Sequence, residues 1–115
     1  MLNYKKRISF DFDNTLYDTF IVFPRLEIFE YLNNLAHNYK IIIVTARNSC
    51  EKHVVEDFVK KYNLPISEIY FTNQQLKGSI LKQLNVIQHI DYCQHQLESA
   101  KECGIEAISI FTLLR

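Results

Sequence analysis

Glycine and proline are scarce in this 115-residue chain, two of each, and it contains no low-complexity stretch and no repeat. That excludes a flexible linker and leaves residues 1–115 as a single domain, long enough for one core of modest size. An excess of one charge is also missing: thirteen Lys and Arg balance thirteen Asp and Glu, for a formal net charge of zero. A chain without a global basic field has no bulk electrostatic means of recruiting nucleic acid or anionic lipid. No apolar run approaches the ~20 residues that cross a bilayer, so no membrane partner is expected. The segment Met1–Arg7 carries Lys5-Lys6-Arg7 in the manner of a secretory n-region, but Asp11 interrupts the apolar run behind it, which excludes an h-region. Cysteine is limited to Cys50, Cys93 and Cys103, an odd number without metal-ligand spacing. They read as free thiols in a reducing compartment, hence a cytoplasmic protein.

What is present is an ordinary globular composition, 48% hydrophobic and 23% charged. Apolar runs alternate with helix-length amphipathic segments, which predicts βαβ units and a parallel sheet. Strands are expected at Arg7–Phe12, Lys40–Thr45, Glu68–Thr72, Val86–Asp91 and Glu106–Phe111. The β-branched run Ile41-Ile42-Ile43-Val44 predicts a central strand buried on both faces. A helix opening at Pro24 and running to His37 presents Leu26, Phe29, Leu32, Leu35 and Ala36 at helical spacing. Another at Cys50–Tyr62, capped by Asn48 or Ser49, presents Val54, Val55, Phe58 and Val59. Further helices begin near Lys77 and after Cys93, the latter ended by Gly104. Ile105, Ile108, Ile110, Phe111, Leu113 and Leu114 make an apolar C-terminal end, which points to a homo-oligomer formed through the last strand.

The stretch with chemical content is Ile8–Asp18, where Ile8, Phe10 and Phe12 deliver Asp11 and Asp13 at the end of the first strand. Strand side chains two apart point the same way, so both carboxylates face one place if extended geometry persists. Asp13-Asn14 reads equally as a turn signal. Asp11 does not, because carboxylates inside apolar runs are rare unless paired or metal-bound. Asp91 and Thr45 also end strands, and ligands of open parallel sheets bind at that edge. Carboxylates brought that close repel and need either a shared proton or a cation.

Phe10-Asp11-Phe12-Asp13-Asn14-Thr15-Leu16 resembles the first signature, hydrophobic-DxDxT, of the haloacid dehalogenase-like (HAD) phosphohydrolases. The resemblance extends over nearly the whole chain through three further motifs in order. Thr45, closing its apolar strand, is similar to the second, whose hydroxyl and nearby amides hold a phosphate oxygen. Lys77 falls where the third places a lysine ahead of the fourth strand; Lys82 is the other candidate but lies deeper in the helix. Asp91 stands where the fourth places a metal-holding acid. The chain departs from the family at Tyr92, which replaces a second acid, and no Asp or Glu follows three to five residues past Asp91. Metal binding then rests on Asp11, the Asp13 backbone carbonyl, Asp91 and water, a set that Mg²⁺ tolerates because it keeps several waters.

The resemblance implies a three-layer, Rossmann-like α/β fold, a five-stranded, mostly parallel sheet flanked by helices. It implies no cap domain, since neither Leu16–Tyr39 nor Asn48–Leu76 spares the ~40 residues that an insert needs to fold alone. It further implies an Mg²⁺-dependent phosphomonoester hydrolase. Asp11 attacks phosphorus to give an aspartyl-phosphate, and Asp13, its pKa raised by crowded carboxylates, serves as general acid and then base. Lys77 balances charge, and Asn14, Thr45, Ala46 and Arg47 hold the substrate. Thr45-Ala46-Arg47 is similar to the second-motif region of polynucleotide 3′-phosphatases and some nucleotidases, so a nucleotide, a nucleic-acid end or another large phosphoester is the expected substrate. By itself Arg47 reads equally as a surface residue before a helix cap. Two rival functions stay open: a non-catalytic phosphate- or partner-binding module with a reduced fourth motif, and a phosphotransferase.

Overall fold

The computed structural model describes residues 5–114; Met1–Tyr4, the start of the basic amino-terminal segment, and Arg115 lie outside the described residues. In chain order the elements are β1 (Arg7–Phe10), β2 (Tyr17–Asp18), β3 (Phe23–Pro24), α1 (Leu26–Leu35), β4 (Lys40–Thr45), α2 (Lys52–Lys61), β5 (Glu68–Phe71), α3 (Gly78–Gln83), β6 (Val86–Asp91), α4 (Gln94–Glu102) and β7 (Glu106–Ser109). Five strands form one parallel sheet in the order β5-β4-β1-β6-β7. The chain builds outward from β1 to β4 and β5, then crosses to β6 and β7 on the other side. Its topological switch point is therefore β1 itself.

The run of β-branched residues in β4 follows from this central position. Ile41 and Ile43 join the core cluster of Ile28, Phe29, Leu32 and Val55, so α1 and α2 cover that face of the sheet. Ile42 and Val44 join Leu81, Ala100 and Ile105 on the other face, beneath α3 and α4. Alternating side chains need an apolar partner on both sides, so a doubly covered strand is apolar throughout. The result is a three-layer α/β fold. Between β1 and α1 the chain forms only the antiparallel β2–β3 hairpin, and between β4 and β5 only a 3₁₀ turn and α2.

The elements end where their chemistry stops them. With so little glycine, asparagine takes over the left-handed position that ends helices: Asn63 (φ +50°) follows α2 and Asn85 (φ +55°) follows α3, as Gly104 (φ +80°) follows α4. Several boundaries differ from expectation. Pro24 lies in β3 rather than opening α1, and β1 and β7 are each two residues shorter than read from sequence. Ile28 takes the buried stripe of α1 while Leu26 is exposed, and in α2 Val55 is buried while Val54 is exposed. At about 100° per residue Leu26 and Val54 stand at the margins of their apolar stripes, whose centres face the core. The edge strand β7 is where it was expected, but Ile105 and Ile110 are buried and Leu113 and Leu114 pack against the core, leaving Phe111 exposed. Exposed apolar side chains collect instead on the β2–β3 hairpin, at Phe20, Ile21, Val22 and Phe23.

On the second face α3 and α4 approach so closely that only glycine fits at the contact. A Cβ on Gly78 would stand 2.4 Å from the Ser99 carbonyl oxygen, 2.7 Å from its Oγ and 2.8 Å from Cys103 Sγ. Because the nearest atom is backbone, the helices themselves would have to separate. Gly78→Ala is expected to destabilise the fold by about 1–3 kcal/mol, the range of overpacked interiors. Urea unfolding measures this, and an unchanged midpoint would contradict the contact.

Candidate active site

The site is assembled at the C-terminal edge of the sheet, around the switch strand. β1 ends at Phe10, yet the Asp11 amide still donates to the Ile90 carbonyl of β6 at 2.9 Å. That bond holds Asp11 beside Asp91, the last residue of β6. The chain then folds back: the amides of Thr15, Leu16 and Tyr17 all donate to the Phe12 carbonyl, at 3.2, 3.0 and 3.3 Å. Asn14 supplies the left-handed residue of this turn, φ +60°.

Lys77 comes from the other side. Its backbone N–H donates to Gln96 Oε1 at 2.9 Å and that of Gly78 donates to Ser99 Oγ at 3.0 Å, so α4 fixes the first residues of α3. The Lys77 side chain, 1% exposed, then runs inward and donates to Asp11 Oδ1 at 2.7 Å and Asp91 Oδ2 at 2.8 Å. Lys82 is exposed on α3 and takes no part. Asp11 Oδ2 accepts from Thr15 Oγ1 at 3.0 Å, and Asp91 Oδ1 accepts from the Cys93 amide at 2.9 Å. Behind Asp91 lies a second buried layer. His89 Nε2 stands 2.7 Å from Asp91 Oδ2, and His89 Nδ1 stands 2.6 Å from Ser9 Oγ.

Charge in this cluster is divided unevenly. Burial, the largest influence, together with the neighbouring Asp91 carboxylate, pushes Asp11 from an ordinary 3.8 to about 7 despite the opposing pull of Lys77. Burial also works against Asp91, but Lys77 and His89 hold it well below the usual carboxylate range. Burial disfavours the Lys77 ammonium, and the two carboxylates outweigh it and raise its pKa. His89 is lowered, first by burial and then by Lys77. The crowded, raised carboxyl is thus Asp11, with Asp91 as its crowding partner, where sequence reading expected the crowding at Asp13.

Asp13 faces elsewhere. Arg47 grips it with both ends of the guanidinium, Nε to Oδ2 and Nη2 to Oδ1, each at 2.9 Å, while Nη1 binds Glu51 Oε2 at 2.9 Å. The same guanidinium lies 5.4 Å from the centroid of the Phe12 ring. Thr45 is fully buried, and its Oγ1 accepts from the Arg47 amide at 3.2 Å. The Ala46 carbonyl accepts from the Gln74 amide at 2.7 Å. Asn14 Oδ1 accepts from the Thr19 amide and hydroxyl at 2.9 and 2.7 Å, which makes it the anchor of the hairpin. Asp11, Lys77 and Asp91 therefore form one cluster, and Asp13, Arg47 and Glu51 a neighbouring one. Ser9, His89, Gln96 and Ser99 were not anticipated, and Thr15 stood in the DxDxT signature without an assigned role. Only the alternation His89-x-Asp91 in a strand, which puts both on one face, carried a readable signal.

The donor set can be tested against a divalent cation. Among the described residues no group of three or more His, Cys, Asp or Glu side chains forms a ready metal site. An ionised carboxylate offers about four acceptor positions. The hydrogen bonds above use two on Asp11 and three on Asp91. By that count about two acceptor positions stay open on Asp11 and about one on Asp91, and Mg²⁺ is an ion commonly held by one or two carboxylates with water completing the shell.

No protein-family model and no curated protein sequence matches the chain. Among solved structures it is similar to a chain of the Pnkp1/Rnl/Hen1 RNA repair complex, with a TM-score of 0.75 and 16% sequence identity over 91% of this chain and 42% of that one. A second structure, of the Pnkp1/Rnl/Hen1 complex, gives a TM-score of 0.75 at 16% identity over 93% of this chain and 46% of the other. At that identity the likeness is one of fold. The chain spans less than half the length of the solved chains it resembles. Among the described residues no helix is long and apolar enough to cross a membrane.

In the metal-free protein the Asp11 carboxyl should titrate with a midpoint near pH 7, protonated below and ionised above. Carboxyl-carbon NMR, with Asp11→Asn to assign the signal, measures it. A midpoint below pH 5 would contradict the burial-driven shift.

Proposed function

We propose that the chain is an Mg²⁺-dependent phosphomonoester hydrolase that works through an aspartyl-phosphate on Asp11. The observation that carries this reading is a carboxylate at the switch point of a parallel sheet, buried, raised in pKa and hydrogen-bonded to a buried ammonium. A perturbed carboxyl with a specific charge partner at the ligand-binding edge of a parallel sheet marks a functional-site candidate, and the Lys77 ammonium favours the ionised form of Asp11 that a nucleophile must have.

In the proposed reaction an Asp11 oxygen forms a bond to phosphorus as the bond from phosphorus to the leaving oxygen breaks. Asp13 gives that oxygen a proton. Water then attacks phosphorus, Asp13 takes its proton, and the Asp11 carboxylate and inorganic phosphate are released. Lys77 stabilises the charge that accumulates on the transferred group. Asp11, Asp91 and the Asp13 backbone carbonyl would hold Mg²⁺, which supplies neutralisation of phosphate oxygens. Thr45, the last residue of β4, Ala46 directly after it and Asn14 in the turn after β1 are assigned to the phosphate's surroundings. The fold likeness to chains of an RNA repair complex supports a nucleotide or nucleic-acid end as substrate, by analogy of fold and not of site.

A second reading, a phosphate-binding module without turnover, is favoured by one feature: Asp11, Asp13 and Asp91 all already have a cationic partner within the protein. An assay with Mg²⁺ on a chromogenic aryl phosphate, nucleotides and 3′-phosphorylated oligonucleotides separates the two. Turnover is expected, and Asp11→Asn should leave at most a trace of it with wild-type circular dichroism. Absence of turnover on every ester would establish the binding module instead.

Arg47 has a sharper expectation. Its side chain holds both oxygens of Asp13, which serves every substrate in this scheme. Arg47→Ala should lower kcat/KM by about ten-fold or more, about 1.4 kcal/mol, on the aryl phosphate and on nucleotides alike. A loss confined to nucleotides would show that the arginine contacts the leaving group and that its grip on Asp13 is dispensable.

A further inference from the structure

Ser9 and His89 are used by nothing in the scheme above, yet both are fully buried and hydrogen-bonded in line with the site. They are register partners on adjacent parallel strands, Ser9 of β1 opposite His89 of β6. His89 and Asp91 are two apart on β6 and so share a face of the sheet. The line of contacts is continuous: Ser9 Oγ to His89 Nδ1 at 2.6 Å, His89 Nε2 to Asp91 Oδ2 at 2.7 Å, Lys77 Nζ to the same oxygen at 2.8 Å and to Asp11 Oδ1 at 2.7 Å.

The direction of these bonds follows from the groups. An ionised carboxylate only accepts, so His89 Nε2 must carry the hydrogen that faces Asp91. Nδ1 of a neutral ring is then an acceptor, and the Ser9 hydroxyl donates to it. The other acceptor near Ser9 Oγ, the Gln88 carbonyl, is 3.5 Å away and a much poorer partner. Asp91 therefore sets the tautomer of His89, and the Ser9 hydroxyl, donating to Nδ1, holds the ring in the orientation that offers Nε2–H to Asp91.

We propose that His89, oriented by Ser9, is a positioning residue that fixes the Asp91 carboxylate and, through it, the Lys77 ammonium against Asp11. Among the described residues Asp91 Oδ1 accepts from the Cys93 amide and Oδ2 from Lys77 and His89. Without the imidazole one bond remains on each oxygen, and the carboxylate is held less firmly against rotation about its Cβ–Cγ bond. The ammonium that bridges Asp91 and Asp11 is then held less firmly as well. As a role in catalysis this rests on the phosphatase reading; as a role in the geometry of the cluster it does not.

The test uses ¹⁵N-labelled wild-type protein and the variants His89→Leu, His89→Gln and Ser9→Ala, each checked for folding by circular dichroism. Glutamine places an amide N–H near the position of Nε2 and is the conservative replacement. Ring-nitrogen NMR of the wild type should show His89 with hydrogen on Nε2 and a bare Nδ1. Hydrogen exchange at the Lys77 ammonium, followed by ¹⁵N NMR, should accelerate at least ten-fold in His89→Leu, return to within about three-fold of wild type in His89→Gln, and lie between in Ser9→Ala. Should His89→Leu not fold, Ser9→Ala carries the comparison. Activity of the same variants should show kcat reduced about ten-fold with KM for the aryl phosphate within two-fold. A wild-type ring protonated on Nδ1, or Lys77 exchange unchanged in both His89→Leu and Ser9→Ala, overturns the proposal. Equal losses in His89→Leu and His89→Gln also overturn it, because that pattern marks a packing role. A wild type that hydrolyses no ester defeats the phosphatase reading, while the exchange data still decide the positioning role.

Discussion

The Lys77 ammonium is the charge around which the rest of the molecule is arranged. With its side chain 1% exposed, it has given up hydration that only close, well-aligned carboxylates can replace. Asp11 and Asp91 provide that replacement at 2.7 and 2.8 Å. Removing one partner from a buried pair of this kind costs about 3–5 kcal/mol, because the charge left behind has no water to turn to. The requirement reaches well beyond the three side chains. Asp11 is held by a backbone bond to β6, Asp91 ends that strand, and Lys77 is delivered by the first residues of α3, which α4 grips through Gln96 and Ser99. The missing side chain of Gly78 lets the two helices come close enough for this to happen.

The same arrangement keeps the two aspartates of the first strand apart in character. Two residues of extended chain would have pointed both at one spot. The turn around the Phe12 carbonyl, with Asn14 in the left-handed region, sends Asp11 to the buried lysine and Asp13 to the partly exposed Arg47. One carboxyl is thereby desolvated and raised, and the other is held in a bidentate grip at the mouth. The two carboxyls thus stand in different environments, one buried beside a buried ammonium and one partly exposed beside a guanidinium.

Much of this was legible in the sequence. The five strands and their burial could be read because apolar runs in a doubly covered sheet have little freedom, as the Ile41–Val44 run shows. Asp11 could be named because a carboxylate in an apolar strand needs a reason, and Asp91 because it ends another such strand; Lys77 could be named only from the resemblance to the third HAD motif. What was hidden depends on contacts between distant residues. Gln96 and Ser99 look like ordinary positions on an amphipathic helix, and only the approach of α3 turns them into clamps. His89 and Ser9 lie in strands whose pairing had first to be known. The Arg47–Asp13 pair joins residues 34 apart in sequence, across a turn whose direction no local pattern specifies. The face of α1 was misjudged at Leu26, which stands at the margin of the stripe centred on Ile28, Phe29 and Leu32.

The central claim, that Asp11 becomes covalently phosphorylated, is tested most directly by chemical trapping. Protein quenched in acid during turnover of a phosphomonoester with Mg²⁺, reduced with borohydride and digested should yield homoserine at position 11, because borohydride reduces an acyl phosphate to the alcohol. The account expects that product at position 11 and not at position 13 or 91, and expects none when the ester is omitted. Sustained turnover with homoserine at neither position 11 nor any other aspartate, together with full activity in Asp11→Asn, would contradict it.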